Sequence, residues 1–266
     1  MKTQRNYHLT FDVDYQPGTE KIIPVILNFL RKMDVTASFF ITGRFALENE
    51  ECVRQIAIAG HELGVHGWDH GFSNSGEDFH LNDEAIQIDN IVRTKSLLES
   101  ISGKKVTMNR NPNLWVNDSL WSVLDKAQIQ LDSSIPAGRF IGQIRKYKYS
   151  FYSTKKVIVS AGDCRSIIEV PPTALILPLN TSFARMFGSD IFVLFQRVLS
   201  YFRQQIVIYT HPAEFMCADE VEYDQYELER YKRNTGPQLF EVLEKSINLA
   251  RSQGFEVIGM ERAYIK

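Results

Sequence analysis

Cysteine is scarce in this sequence and is not arranged for chemistry. The 266 residues hold three, Cys52, Cys164 and Cys217, with no CxxC pair. That spacing argues against a cysteine zinc site and a disulfide framework, so buried free thiols in a reducing compartment are the expectation. Surplus charge is missing too. Thirty Lys and Arg against 32 Asp and Glu leave a net charge of −2, with no arginine stripe, so nucleic acid is not an expected partner. No apolar run is long enough to cross a bilayer. The opening stretch Met1 to Asn6 is polar and the first predicted strand starts near Tyr7, which leaves no room there for a secretory apolar region. A cytoplasmic location is expected. Repeats, low-complexity tracts and linkers are absent, so residues 1–266 read as a single domain that can bury a sizeable core.

Histidine is the residue that clusters. Three of the six fall between Gly60 and His70. His66 and His70 are four apart, and on a helical turn that spacing puts both imidazoles on one face, close enough to share a metal ion. The bland alternative is a pair of exposed polar residues. Glu62 to Trp68 alternates loosely like a strand opened by Gly60, so both histidines fall where a strand gives way to a turn. A two-histidine site needs a third, anionic ligand, and the candidates are Asp12 and Asp14 in Thr10–Asp14. Two apart on a continuing strand, they would point the same way. One carboxylate could bind the ion while the other accepts a proton; either could instead cap a turn.

Strands and helices alternate along the whole chain. Strands are predicted at Tyr7–Val13, Thr36–Thr42, Glu62–Trp68, Val106–Arg110, Ile129–Asp132, Gln205–Thr210 and Phe255–Gly259. Lys156–Ala161 and Ser166–Val170 read as a hairpin. Helices are predicted at Glu20–Met33, Asn49–Ala59, Glu84–Ile101, Asn117–Ala127 with Asn117 as N-cap, Ile191–Gln204 and Gly236–Gln253. Residues 136–153 and 213–233 give no clear pattern. The alternation predicts a mainly parallel α/β barrel or sheet. Asp12, Asp14, His66, His70, Arg110, Asp132 and His211 all fall at or just past predicted strand ends, which share one face in a barrel.

Arg110 could pair with Asp12, holding it ionised and aimed, and Asp132 could pair with that arginine or form an Asx-turn. His211 ends an apolar strand and could serve the site or be structural. His80 lies in the loop after His70, within reach of substrate. Glu169 and Glu214 flank proline turns and receive no role. The aromatic run Phe183–Phe202 reads as core helix, with a subunit interface or a lipid tail as the other readings.

Taken together, Thr10-Phe11-Asp12-Val13-Asp14, Gly60–His70, Arg110-Asn111-Pro112, Leu131-Asp132-Ser133-Ser134 and Tyr209-Thr210-His211-Pro212 resemble, in that order, the five motifs of the polysaccharide deacetylase family, the NodB-like carbohydrate esterases. The resemblance implies an irregular (β/α)₇ barrel. It implies Asp14, His66 and His70 as metal ligands, with zinc the expected ion and cobalt or nickel the alternatives. It implies Asp12 as general base, Arg110 as the arginine that orients it, Asp132 as the acidic residue of the fourth motif and His211 as general acid. The oxyanion would meet the backbone N–H near Asn113. Val13 separates the two carboxylates, as in the Asp-x-Asp branch. Asn113 stands where an aromatic residue is usual, and Tyr209 and Thr210 stand where two leucines usually form the acyl pocket. The implied activity is metal-dependent removal of an acetyl or formyl group from the nitrogen of an amino sugar. The alternatives are a lipid-linked formamido sugar, which alone would bring in a membrane surface, a cyclic imide or ureide, and sugar binding without turnover. A homo-oligomer is left open.

Overall fold

The structure, a computed structural model, describes residues 4–14, 16, 18–70, 83–137, 157–161, 165–174, 177–217 and 234–265. Its centre is a curled sheet of β1 (Asn6–Val13), β2 (Ser38–Ile41), β3 (Glu62–Val65), β4 (Met108–Asn109), β5 (Leu131–Asp132), β6 (Val157–Ala161), β7 (Arg165–Glu169), β8 (Gln205–Thr210) and β9 (Glu256–Val257). The order is β6-β7-β5-β4-β3-β2-β1-β8, with β9 beside β1. Every pairing is parallel except the β6–β7 hairpin. Seven parallel strands, from β7 round to β8, form the barrel wall, as the (β/α)₇ expectation requires. The chain just past β7 narrows the remaining gap: Thr173 donates its N–H to the Val207 carbonyl at 3.0 Å, and its Oγ1 accepts the Val207 N–H at 2.8 Å.

Alternation along β1 explains the layering. Tyr7, Leu9, Phe11 and Val13 face the helices and join the main core with Phe39, Ile41, Ile206 and Ile208. His8, Thr10 and Asp12 point into the barrel. Below Asp12 the barrel is plugged by a small apolar set, Phe40, Met108, Leu131, Val170, Val207 and Met260. Above that plug the interior is polar and opens at the rim where the strands end.

Three short helices escaped the sequence pattern: Gly43–Glu48, Thr181–Phe187 and Met260–Tyr264. Each is one or two turns long, too short for a 3.6-residue period to show. Asn117 is not the N-cap of its helix, which begins at Leu120; its Oδ1 accepts from the Ser119 N–H and hydroxyl one step earlier. The helix Ser189–Phe202 is not plain core. Phe192 and Leu199 are buried, while Ile191, Leu194, Val198, Tyr201 and Phe202 are exposed along a second stripe. Eight of the 13 large exposed apolar residues described lie between Leu177 and Phe202, so the stripe is one patch and not scatter.

The closed end of the barrel stores a pH response. His8 is buried, bonded through Nδ1 to the Ile258 carbonyl at 2.7 Å and through Nε2 to the Tyr264 hydroxyl at 3.0 Å. Burial pushes its pKa down to about 4, against the raising effect of the Ile258 bond. His61 is pushed to about 4 by burial and by Lys104. A histidine depressed on folding leaves stability whole above its unfolded pKa of ~6.5 and removes it as the pH falls from there toward 4. The loss from His8 alone should reach about 3 kcal/mol. Urea midpoints measured between pH 7 and pH 4.5 should drop, and should drop less in His8→Gln; equal drops in both proteins would remove His8 as the cause.

Candidate active site

Four chain segments meet at the C-terminal rim of the barrel. β1 ends at Val13 and carries Asp14 just beyond it; β3 ends at Val65 and hands over to His66. His66 and His70 are not on a helix. Gly67 (φ 69°) and His70 (φ 62°) both take left-handed backbone, which folds the segment back on itself and brings the ring centroids to 5.3 Å. The turn is held from outside: the Gly43 and Arg44 N–H groups donate to the Gly67 and Trp68 carbonyls at 3.0 and 2.8 Å, and the Thr94 hydroxyl donates to Gly67 at 3.0 Å. Gly43 has to be glycine, because a Cβ there would overlap the Trp68 ring.

Asp14 Oδ1 lies 3.4 Å from His66 Nε2 and 3.7 Å from His70 Nε2, and one ligand atom from each residue falls within 4.8 Å of the others. His66 Nδ1 is 2.7 Å from the Arg110 carbonyl. That bond puts the proton on Nδ1 and leaves the Nε2 lone pair facing Asp14. Asp14 Oδ1 is buried and has no hydrogen-bond donor. A buried carboxylate oxygen without a donor, flanked by two imidazoles, fits a divalent cation bound by one oxygen and two nitrogens. Burial would raise the Asp14 pKa, but His70, His66 and His211 together hold it well below the usual carboxylate range. Burial lowers His70; it would lower His66 as well, but Asp14 and Asp12 raise that residue.

Asp12 is the second carboxylate, 2% exposed on the same side of β1. Its Oδ1 accepts from Arg110 Nη1 at 2.6 Å. Arg110 is fully buried. Its remaining hydrogen bonds go from Nη1 to Thr10 Oγ1 (2.7 Å), from Nε to the Ser133 carbonyl (3.1 Å) and from Nη2 to Ser133 Oγ (2.8 Å), and its guanidinium carbon sits 4.3 Å above the Phe40 ring. Four of the five N–H donors of the fork are held, on all three nitrogens, so Asp12 is fixed in place. Asp132 does not pair with Arg110. It accepts the Ser134 N–H at 3.1 Å in an Asx-turn, together with the Ser134 hydroxyl and Asn109 Nδ2, and it lies beneath the rim with no exposure.

His211 follows β8 on the far side of Asp14, with Nε2 3.9 Å from Asp14 Oδ2. Its side chain is 26% exposed, against 11% for His70 and 2% for His66, which places the solvent opening at His211. Nδ1 faces Glu214 Oε2 at 3.5 Å. Burial would lower its pKa, but the Glu214 hydrogen bond and the charges of Asp14, Glu214 and Asp12 hold it up at about 9. Glu214 is the residue that sequence reasoning missed. It is buried, paired with Arg185 at 2.6 Å, and accepts from Ser182, Thr181 and the His211 N–H. Its signal was thin: a glutamate three residues after the histidine, where it closes a capping box on the turn Pro212–Phe215.

Tyr209 points into the site, edge-on to His211 with ring centroids 6.1 Å apart. Thr210 does not. It alternates to the helix side with Ile206 and Ile208 and hydrogen-bonds Thr181 at 2.7 Å, so it cannot line an acyl pocket. Asn113 is exposed on the rim in the short turn Pro112–Leu114, with a left-handed φ of 55° that asparagine tolerates better than an aromatic residue. His80 lies outside the described residues.

The polysaccharide deacetylase family model matches residues 2–131. Over 164 residues the chain is 26% identical to the peptidoglycan-N-acetylglucosamine deacetylase PgdA of Listeria monocytogenes, an overlap of 61% of this chain and 31% of that protein. It thus spans under a third of that relative's length. The fold is similar to the crystal structure of a putative polysaccharide deacetylase from Mycobacterium smegmatis, with TM-score 0.67, 18% identity and coverage of 99% and 90% of the two chains. It is also similar to a CE4 family pseudoenzyme from Bacillus anthracis, with TM-score 0.61, 18% identity and coverage of 98% and 66%. Model match, motif order and curled parallel sheet agree: residues 2–131 match the polysaccharide deacetylase family, and the fold as a whole is similar to that of polysaccharide deacetylases.

Proposed function

We propose that this chain hydrolyses the amide joining a small acyl group, acetyl before formyl, to the nitrogen of an amino sugar. The observation that carries the reading is the donorless Asp14 Oδ1 between two imidazoles, with a second, arginine-clamped carboxylate beside it. Asp14, His66 and His70 would hold a divalent cation, zinc first. When bound, the cation polarises the amide carbonyl and acidifies water. Asp12, its Oδ1 engaged by Arg110, accepts the proton of the attacking water on Oδ2. His211 is charged and hydrogen-bonded through Nδ1, so Nε2–H is the donor for the departing nitrogen. Tyr209 walls the acyl side, and the rim offers the Asn113 backbone N–H to the developing oxyanion. The sugar substrate rests on the peptidoglycan deacetylase relatives.

Zinc-, cobalt- and nickel-loaded protein should release acetate from N-acetylglucosamine oligomers. No acid from N-acetyl, N-formyl or cyclic imide substrates, with the ion bound, would leave sugar binding without turnover. One observation favours a second substrate: the exposed apolar stripe on Ser189–Phe202 suits an amide presented at a membrane, as on a lipid-linked formamido sugar. Sedimentation with anionic liposomes separates the two.

A further inference from the structure

Beneath the rim lies a buried acid pair that the mechanism above does not use. β5 and β7 run in parallel register with Asp132 beside Glu169, and both residues have no exposure. Two carboxylates packed together out of water cannot both ionise. The donor count says which one does. Asp132 Oδ1 accepts from Asn109 Nδ2 at 2.8 Å and from the Ser134 hydroxyl at 2.9 Å, and Oδ2 accepts the Ser134 N–H at 3.1 Å. Glu169 Oε1 accepts only the Ile135 N–H, at 3.0 Å, and the buried Oε2 receives no donor. Glu169 Oε2 is thus the buried oxygen that lacks a partner, and a hydrogen bond from it to the neighbouring Asp132 carboxylate would satisfy it. A hydrogen bond between two carboxyls needs an O–H, and the side with three other donors is the anion.

That bond reaches the catalytic rim in two steps. The turn that Asp132 organises presents the Ser133 carbonyl and hydroxyl to Arg110, and the Ser134 hydroxyl to the Asn111 N–H at 2.9 Å. Arg110 in turn holds Asp12. We infer that Glu169 is a neutral carboxylic acid whose O–H donates to Asp132, and that this bond is what positions the Ser133–Ser134 turn, Arg110 and Asp12. Glu169 is thus a positioning residue, and its catalytic consequence rests on the deacetylase reading. Burial first, then the Asp132 charge, raises its pKa well above the ordinary value, against a lowering effect of Arg110. Its β6 partner, Val157, carries no charge; Asp125 and Lys126 belong to the helix packed on β7.

The protonation state can be read without any substrate. A folded protein that keeps a proton on Glu169 loses stability relative to its unfolded chain as the pH rises above the ordinary glutamate range. The glutamine variant carries no such proton. Glu169→Gln should therefore gain stability relative to wild type as the pH rises from 5 to 8, approaching a tenfold change in the unfolding constant per pH unit. A pH-independent difference would mean an ionised Glu169 and would overturn the inference. ¹³C NMR of labelled carboxyls should show one protonated resonance at pH 7 that Glu169→Gln removes; its removal by Asp132→Asn with Glu169 ionised would also overturn it. If the chain is a deacetylase, Glu169→Ala should lower kcat at least tenfold with little change in KM. Glu169→Gln, whose amide can donate to Asp132, should restore most of it. Failure of that rescue, with the stability slope intact, would count against positioning alone. Absence of turnover in the wild type would count against the deacetylase reading alone.

Discussion

Asp14→Ala is expected to abolish the binding of one divalent ion per chain and to lower turnover by at least ~10³-fold, the scale of losing a cation that polarises the reacting carbonyl. The geometry makes the residue hard to replace. Asp14 is the anion of the proposed ligand set, and both imidazoles lie within 4 Å of the same oxygen. The substitution also removes a carboxylate that the three histidines hold ionised, so a urea midpoint measured beside the zinc content separates lost stability from lost binding. It should also leave a spectroscopic trace. Asp14 is one of the groups raising His66 and His211, so both should titrate lower in the variant without metal. Elemental analysis after zinc loading and dialysis gives the stoichiometry. Full zinc retention in Asp14→Ala would overturn the ligand set, whatever happened to activity.

The Asp14–His66–His70 cluster is partly legible in the sequence because its halves are local. Asp12 and Asp14 are two apart on one strand, and His66 and His70 flank a single turn; that Asp14 and not Asp12 meets the histidines follows only from the family resemblance. The strand end that places both histidines is readable, but the helical-turn spacing does not describe how they meet: two left-handed residues fold the segment, and one of them is a histidine, which no period reveals. Strand-and-helix alternation carried the barrel, since each strand buries an apolar face against the next helix. What stayed hidden was contact between residues far apart in the chain. Glu214 matters because Arg185 and Thr181 come to it from a helix too short to read. Glu169 matters because a register between β5 and β7 sets it against Asp132. Thr210 departs from expectation for the opposite reason: its place in a motif suggests a pocket, but period-two alternation sends its side chain behind the sheet.

Asp12→Asn is expected to keep the ion and lose the reaction, with turnover down ~10²–10⁴-fold, the range for removing a positioned general base. Asparagine preserves an oxygen that can accept from Arg110 Nη1, so Thr10 and Ser133 can keep the guanidinium in place. It removes the negative charge that balances a fully buried arginine, so stability should fall by about 3–5 kcal/mol, the usual effect of stranding one member of a buried ion pair. The two losses separate cleanly. If Asp12 only anchored Arg110, turnover per folded molecule would stay near wild type once the unfolded fraction was subtracted. If it accepts the proton, turnover stays low at temperatures where the variant is fully folded and zinc-loaded. Activity, zinc content and urea denaturation measured on one preparation decide between these outcomes. Near-normal hydrolysis by the folded, metal-bound variant would remove Asp12 as the base.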